Sequence, residues 1–219
     1  MRTEEAGWIG QQVRALDGVR TVLNLGSGSQ RFREVSKPYI HAEIFRPLIA
    51  AGARVVHSDQ HQGAGIDVSG DVFDPEVQAR LRALRPDLVL ACNIMEHLDA
   101  RLRDRFPGIL DSLLERGGVL VVTVPYSYPY HADPIDTLYR PHPAELAALF
   151  PAYEVVQSAV LRSGSYGQEF VAGGPLRMTR KVLRMLFPFV RPRRWLSHAH
   201  RMMWLFRPYL ISAVVLRKP

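Results

Sequence analysis

At 219 residues with 47% hydrophobic side chains, the chain has the length of one α/β domain and ample material for one core, which argues against a second independent domain. A lone cysteine, Cys92, rules out an internal disulfide framework and fits a reducing compartment, so a cytoplasmic location is expected; no stretch reaches the roughly 18 uncharged apolar residues of a membrane span. The net charge of +7 is lopsided: all 21 acidic residues lie at or before Glu169, and 11 basic groups follow it. Any electrostatic partner should therefore meet the C-terminal part.

In chain order, residues 3–16 predict an opening helix. Thr21 to Leu25 is a β-branched and leucine run that stops at Gly26-Ser27-Gly28-Ser29, the pattern of a buried strand meeting a tight turn. A helix is expected from Tyr39 to Ala51, closed by Gly52, then a second strand from Arg54 to Asp59 and a weaker third around Gly65 to Val68. Asp74-Pro75 opens a helix with Val77, Leu81 and Leu84 on one face, and Asp87 to Cys92 is the fourth strand. Asp99 to Glu115 carries Leu102, Phe106, Ile109, Leu110 and Leu113 at helical spacing, with Pro107 expected to kink or split it. Val119 to Val124 is a continuous apolar strand, and Tyr153 to Leu161 and Tyr209 to Leu216 read as two more. Strands alternating with helices imply right-handed βαβ units and a Rossmann-like, doubly wound parallel sheet.

Ligands of such sheets sit beyond the carboxyl ends of the strands, where the strand order reverses. Four consecutive strand ends carry suitable groups. The glycines of 26–28 let a ligand approach the backbone, and Asp59 suits the two hydroxyls of a ribose. Asp71 suits an adenine amino group, and Asn93 ends the fourth strand. A dinucleotide fingerprint fits less well: a glycine is wanted at position 31, which is Arg31, and Asp59 lies 31 residues past Gly28 where about 20 is usual.

These residues resemble the class I S-adenosylmethionine-dependent methyltransferases, of the methyltransferase-11 type. Val22-Leu23-Asn24-Leu25-Gly26-Ser27-Gly28 resembles the first motif, Asp59 the ribose-binding acid, and Gly70-Asp71-Val72 the adenine-side motif. Glu96-His97-Leu98 and Leu114-Glu115-Arg116-Gly117-Gly118 match the segments around strands four and five, so that the similarity covers roughly residues 20–160. Asn24 stands where the family commonly has an acid, and Gln30 where a third glycine is frequent, so a scaffold that keeps the fold without turnover is the competing reading.

The resemblance implies a mostly parallel seven-stranded sheet with the last strand antiparallel, and S-adenosyl-L-methionine as cofactor. Asn24, Gly26 and Gly28 would hold its methionine part, Asp59 its ribose, Asp71 and Val72 its adenine, and Asn93 the rim beside the sulfonium, with His97 positioning on the cofactor side. One methyltransferase domain is expected, with a core of 20–161 and 209–217 and a basic helical insertion at about 162–208.

Methyl transfer to oxygen or nitrogen also needs a proton acceptor. The loop Pro125 to His142 is rich in tyrosine, proline, histidine and aspartate over the same crevice, and His131 with Asp133 is the first choice for base and orienting acid. Asp136, Tyr139 and His142 come second. The alternative is that these side chains cap turns and pack the loop. No spacing is diagnostic of a metal, and none is expected. The acceptor is expected to be a small molecule, with oxygen on a sugar or natural-product scaffold preferred.

In the insertion, Val182, Met185, Leu186 and Phe189 oppose Arg177, Arg180, Lys181 and Arg184; a second stretch groups Trp195, His198, Met202 and Leu205 between Arg194 and Arg201. Such faces pack on their own domain, form a lid, meet a protein partner, or lie on an anionic membrane surface, where the methyl acceptor would be lipid-linked. Nucleic acid is disfavoured because the aromatics sit on the apolar faces, away from the arginines.

Overall fold

The computed structural model describes residues 1–130, 135–172, 174, 179–180, 182–183, 189, 195 and 200–219. Seven strands are present among them: β1 (Thr21–Leu25), β2 (Arg54–Asp59), β3 (Val68–Ser69), β4 (Leu88–Cys92), β5 (Val119–Ser127), β6 (Glu154–Ser165) and β7 (Pro208–Arg217). They form one sheet in the order β3-β2-β1-β4-β5-β7-β6, parallel from β3 to β5, with β7 antiparallel to both β5 and β6. The Rossmann-like arrangement and the antiparallel last strand are those expected. The order reverses between β1 and β4, which opens a crevice at their carboxyl ends.

The helices are α1 (Thr3–Arg14), α2 (Pro38–Ile40), α3 (Arg46–Ala50), α4 (Pro75–Ala83), α5 (Ala100–Leu113), α6 (Pro143–Ala148) and α7 (Tyr166–Ala172). Alternation along the strands divides the core into two layers. Leu23, Val89, Ala91, Leu120 and Val122 pack against Val77, Leu81, Phe106, Leu110 and Leu146 of α4, α5 and α6. Val22, Leu88, Leu90, Val119 and Val121 pack on the other face, against Ala6, Ile9 and Val13 of α1 and the segment from Ile40 to Leu48. Both faces are covered, which is why β4 is buried at every position.

Three expectations are corrected. The helix expected over 39–51 begins earlier and is broken into π-turns at Phe32–Ser36 and His41–Phe45 alternating with α2 and α3. Pro38 and Pro47 lie at the starts of the α segments, and a residue without an N–H interrupts the i to i−4 ladder. Pro107 does not split α5, which runs as one element with Phe106, Ile109, Leu110 and Leu113 buried against the sheet. Strands β5 and β6 run past their expected ends at Val124 and Leu161, because β7 supplies antiparallel partners as far as Ser127 and Ser165. The insertion's Arg177, Lys181, Arg184, Met185, Leu186, Arg194 and His198 lie outside the described residues.

Candidate active site

The turn after β1 has a left-handed backbone at Gly26 (φ 60°) and Gly28 (φ 62°). A β-carbon would meet Ile94 at 3.1 Å in the first case and the Phe32 ring at 3.0 Å in the second, so both conformation and space require glycine. The Gly28 N–H donates to Asp59 Oδ2 at 2.8 Å, and the other carboxylate oxygen accepts the His61 N–H at 3.1 Å. Two residues chosen for a shared ligand are therefore in direct contact. The Asp71 Oδ1 accepts the Phe73 N–H at 2.9 Å in an exposed turn beyond β3, while Val72 packs on the α4–α5 core layer.

Asn24, Gly26, Asn93 and His97 line a cavity of about 350 Å³ at the ends of β1, β4 and β5; Arg2, Glu5, Lys37, Cys92, Glu96 and Tyr128 also line it. Gly28, Asp59, Asp71 and Val72 are not in that lining and flank it along the same sheet edge toward β3. His131 and Asp133 lie outside the described residues.

Asn93 adopts φ 55° and turns its amide toward α1, donating to Glu5 Oε1 at 2.7 Å. Thr123 donates to the same oxygen at 2.6 Å, and Glu5 Oε2 accepts the Arg2 N–H at 3.0 Å. Glu5 is 0% exposed. Truncation would strand the buried Thr123 hydroxyl and the half-buried Asn93 amide, so Glu5→Ala is expected to destabilise the fold by about 2–4 kcal/mol in chemical denaturation, with Glu5→Gln milder.

The largest anomaly is Glu96, which is 1% exposed and whose Oε2 has no hydrogen-bond partner among the described residues. Burial, reinforced by the charge of Glu5, pushes its carboxyl up to about 8. Its Oε1 lies 3.8 Å from His97 Nε2, and His97 Nδ1 donates to the Ile135 carbonyl. Thr137 holds the Glu96 carbonyl through its N–H at 2.9 Å and its hydroxyl at 3.0 Å. The segment after β5 is thereby pinned to the cavity's edge. Burial likewise pushes the Cys92 thiol up to about 12, which keeps it a neutral wall.

The second-choice residues have structural tasks. Asp136 pairs with Arg140 at 2.6 Å, Tyr139 lies beneath the Arg103 guanidinium at 4.2 Å, and His142 caps α6 by accepting the Ala144 N–H at 3.3 Å. Among the described residues, no group of three or more His, Cys, Asp or Glu is placed to hold a metal ion.

Four contributors escaped the sequence reading of the site. Glu5 had a signal, since it shares the α1 stripe of Ile9 and Val13 at four-residue spacing. Glu96 was visible within a motif, without a role. His57, beside Asn24 in the β1–β2 register, accepts from Asn24 Nδ2 at 3.1 Å; burial lowers it to about 4, so the ring stays neutral. Arg33, 2% exposed, donates to the carbonyls of Ser27, Gly28 and Gly65 and ties the glycine turn to the β2–β3 loop.

No protein-family model and no curated protein matches the chain. Solved structures do. A SAM-dependent methyltransferase from Archaeoglobus fulgidus aligns over 100% of this chain and 95% of its own, with a TM-score of 0.59 and 15% identity. Coclaurine N-methyltransferase bound to N-methylheliamine and SAH aligns over 98% and 72%, with a TM-score of 0.55 and 15% identity.

The chain has the class I S-adenosylmethionine-dependent methyltransferase fold.

The class I fold does not by itself fix the chemistry, because the cyclase SpnF shares it at a TM-score of 0.51 and 14% identity, over 99% of this chain and 80% of its own. The reaction has to be argued from the cavity.

Proposed function

We propose that the chain is an S-adenosylmethionine-dependent methyltransferase acting on a small molecule, with a hydroxyl oxygen on a sugar or natural-product scaffold as the acceptor. The observation that carries this reading is the buried Glu96 carboxyl, whose Oε2 has no hydrogen-bond partner among the described residues, in a cavity at the strand-order reversal. A cavity wall of this kind suits a ligand that brings its own donor or positive charge.

The residues present fit the cofactor. Gly26 lines the cavity with bare backbone in a left-handed turn, and Gly28 continues that turn toward Asp59. Asn24 spends its amide N–H on His57, which leaves Oδ1 as an acceptor for an ammonium group, so a neutral residue does the work of the missing acid. In this reading Asp59 takes the ribose hydroxyls, Asp71 and Val72 flank the adenine, and Asn93 and His97 border the reacting centre. Bound S-adenosylmethionine would supply an electrophilic methyl group.

The protein's own part is to exclude water, align the acceptor and hold a proton on Glu96 Oε2. His131 and Asp133, which lie outside the described residues, are the second candidates for that proton. Beyond the small acceptor, an anionic membrane surface suits the cationic C-terminal part better than nucleic acid does.

The test is acceptor-dependent formation of S-adenosylhomocysteine across a panel of hydroxylated and amino compounds. Turnover with a hydroxyl compound is expected; cofactor binding without turnover on any acceptor favours the scaffold reading. With Glu96 as the base, His131→Ala slows transfer by less than about tenfold, whereas a loss of about 100-fold with cofactor binding intact would assign the proton to His131.

A further inference from the structure

The surface around α7 joins two properties that a water-facing surface rarely combines. Phe206 is 89% exposed and Val171 is 68% exposed. With Phe170, Ala172 and Leu205 they line an open, mostly apolar hollow of about 870 Å³. The hollow is built in place: the Tyr166 and Gly167 N–H groups donate to the carbonyls of Trp204 and Leu205, both at 3.1 Å, which ties α7 to the approach to β7. A contiguous exposed apolar patch marks a contact surface more often than isolated exposed side chains do.

The C-terminal part of the sequence, in which the hollow's residues lie, carries charge of one sign. From residue 155 to 219 the sequence holds 12 lysines and arginines and a single acid, Glu169. That acid is itself taken up, in an ion pair with Arg2. A partner must therefore offer apolar matter to the hollow and negative charge to its surroundings, where exposed Arg207 directly follows Phe206. A nucleic acid offers the charge without aliphatic matter, and a second copy of this chain would bring the same positive charge against it.

We infer that this face docks on an anionic lipid surface, with Phe206 and Val171 entering the acyl boundary and the exposed Arg207 beside them meeting the headgroups. Its position gives the docking a use. Arg2 lines the cavity of Glu96 and also pairs with Glu169 of α7, while its guanidinium lies 4.6 Å over the Tyr209 ring. Arg2 thus touches both the candidate active-site cavity and the helix that lines the hollow. Resting on the methyltransferase reading, the acceptor class that follows is an amphiphile, whose head enters the cavity while its tail stays in the bilayer.

The experiment is co-sedimentation of the full chain with vesicles of phosphatidylcholine alone and with about 30 mol% phosphatidylglycerol. Binding at least about tenfold stronger to the anionic vesicles is expected, and it should fall as salt is raised. Val171→Glu with Phe206→Glu should weaken it at least about fivefold with the thermal midpoint and cofactor titration unchanged, and Arg207→Gln should reduce only the charge-dependent part. Equal binding to both vesicle types, no binding to either, or a double variant that alters only self-association in sedimentation velocity would overturn the inference. Vesicle binding without cofactor heat would retain the docking and sink the methyltransferase reading; cofactor heat without vesicle binding would do the reverse.

Discussion

Glu96→Gln is expected to lower methyl transfer by about 100-fold while changing cofactor affinity by less than about threefold. Glutamine keeps the shape of the side chain but takes no proton, so a loss in turnover with binding retained reports proton acceptance and not packing. The pH dependence carries an independent sign. Glu96 acts as a base only when ionised, and burial raises it to about 8, so the rate should climb with pH toward a plateau above that value. Glu96→Gln should remove the ascending limb. Stability should move oppositely: the folded carboxyl holds its proton above its ordinary value of 4.5, so its contribution is fully present below 4.5 and is lost as pH rises to about 8. His57 acts in the other direction, its burial costing stability as pH falls from 6.5 toward about 4. Denaturation midpoints of the wild type and Glu96→Gln across this range separate the two: the variant should lose the decline toward pH 8 and keep the decline on the acid side.

Asp59→Ala should weaken S-adenosylmethionine binding by about 30-fold or more. Two effects add here. The Gly28 N–H loses its 2.8 Å acceptor, which loosens the turn that must lie against the ligand, and the acceptor for paired ribose hydroxyls disappears. Asp59→Asn keeps one oxygen and should fall between the two. Because the glycine turn is also held by Arg33 through the carbonyls of Ser27, Gly28 and Gly65, the fold should survive the substitution. A thermal midpoint within a few degrees of wild type, with affinity lost, identifies a ligand contact; a large drop in midpoint with affinity kept would make Asp59 a purely structural tie.

How much was legible in the sequence follows from how local the causes are. Strand β4 is buried at every position and most of β1 and β5 is too, so they stand out as mostly apolar runs bounded by turn residues. The contact of Gly28 with Asp59 followed from topology alone, since strands that run parallel side by side bring their ends together. Tyr126 and Ser127 looked like loop because they are polar and only partly buried; their strand pairing comes from β7, more than 80 residues later. Arg33 reads as a solvated helix residue, and only the folded turn offers it three carbonyls. Ile135 and Thr137 fold back onto His97 and the Glu96 carbonyl, a contact that nothing in either segment announces. Charge placed against apolar surroundings at Glu5 was readable by helical spacing, yet its partners Asn93 and Thr123 come from the residue after β4 and from β5.

For methyl transfer, one sheet edge must hold an adenosyl ligand with its reactive end at the Glu96 cavity. Isothermal titration of the purified chain with S-adenosylmethionine and with S-adenosylhomocysteine measures this directly. One site per chain with a Kd below about 1 mM for both ligands is the predicted result; no heat of binding with either ligand would contradict it.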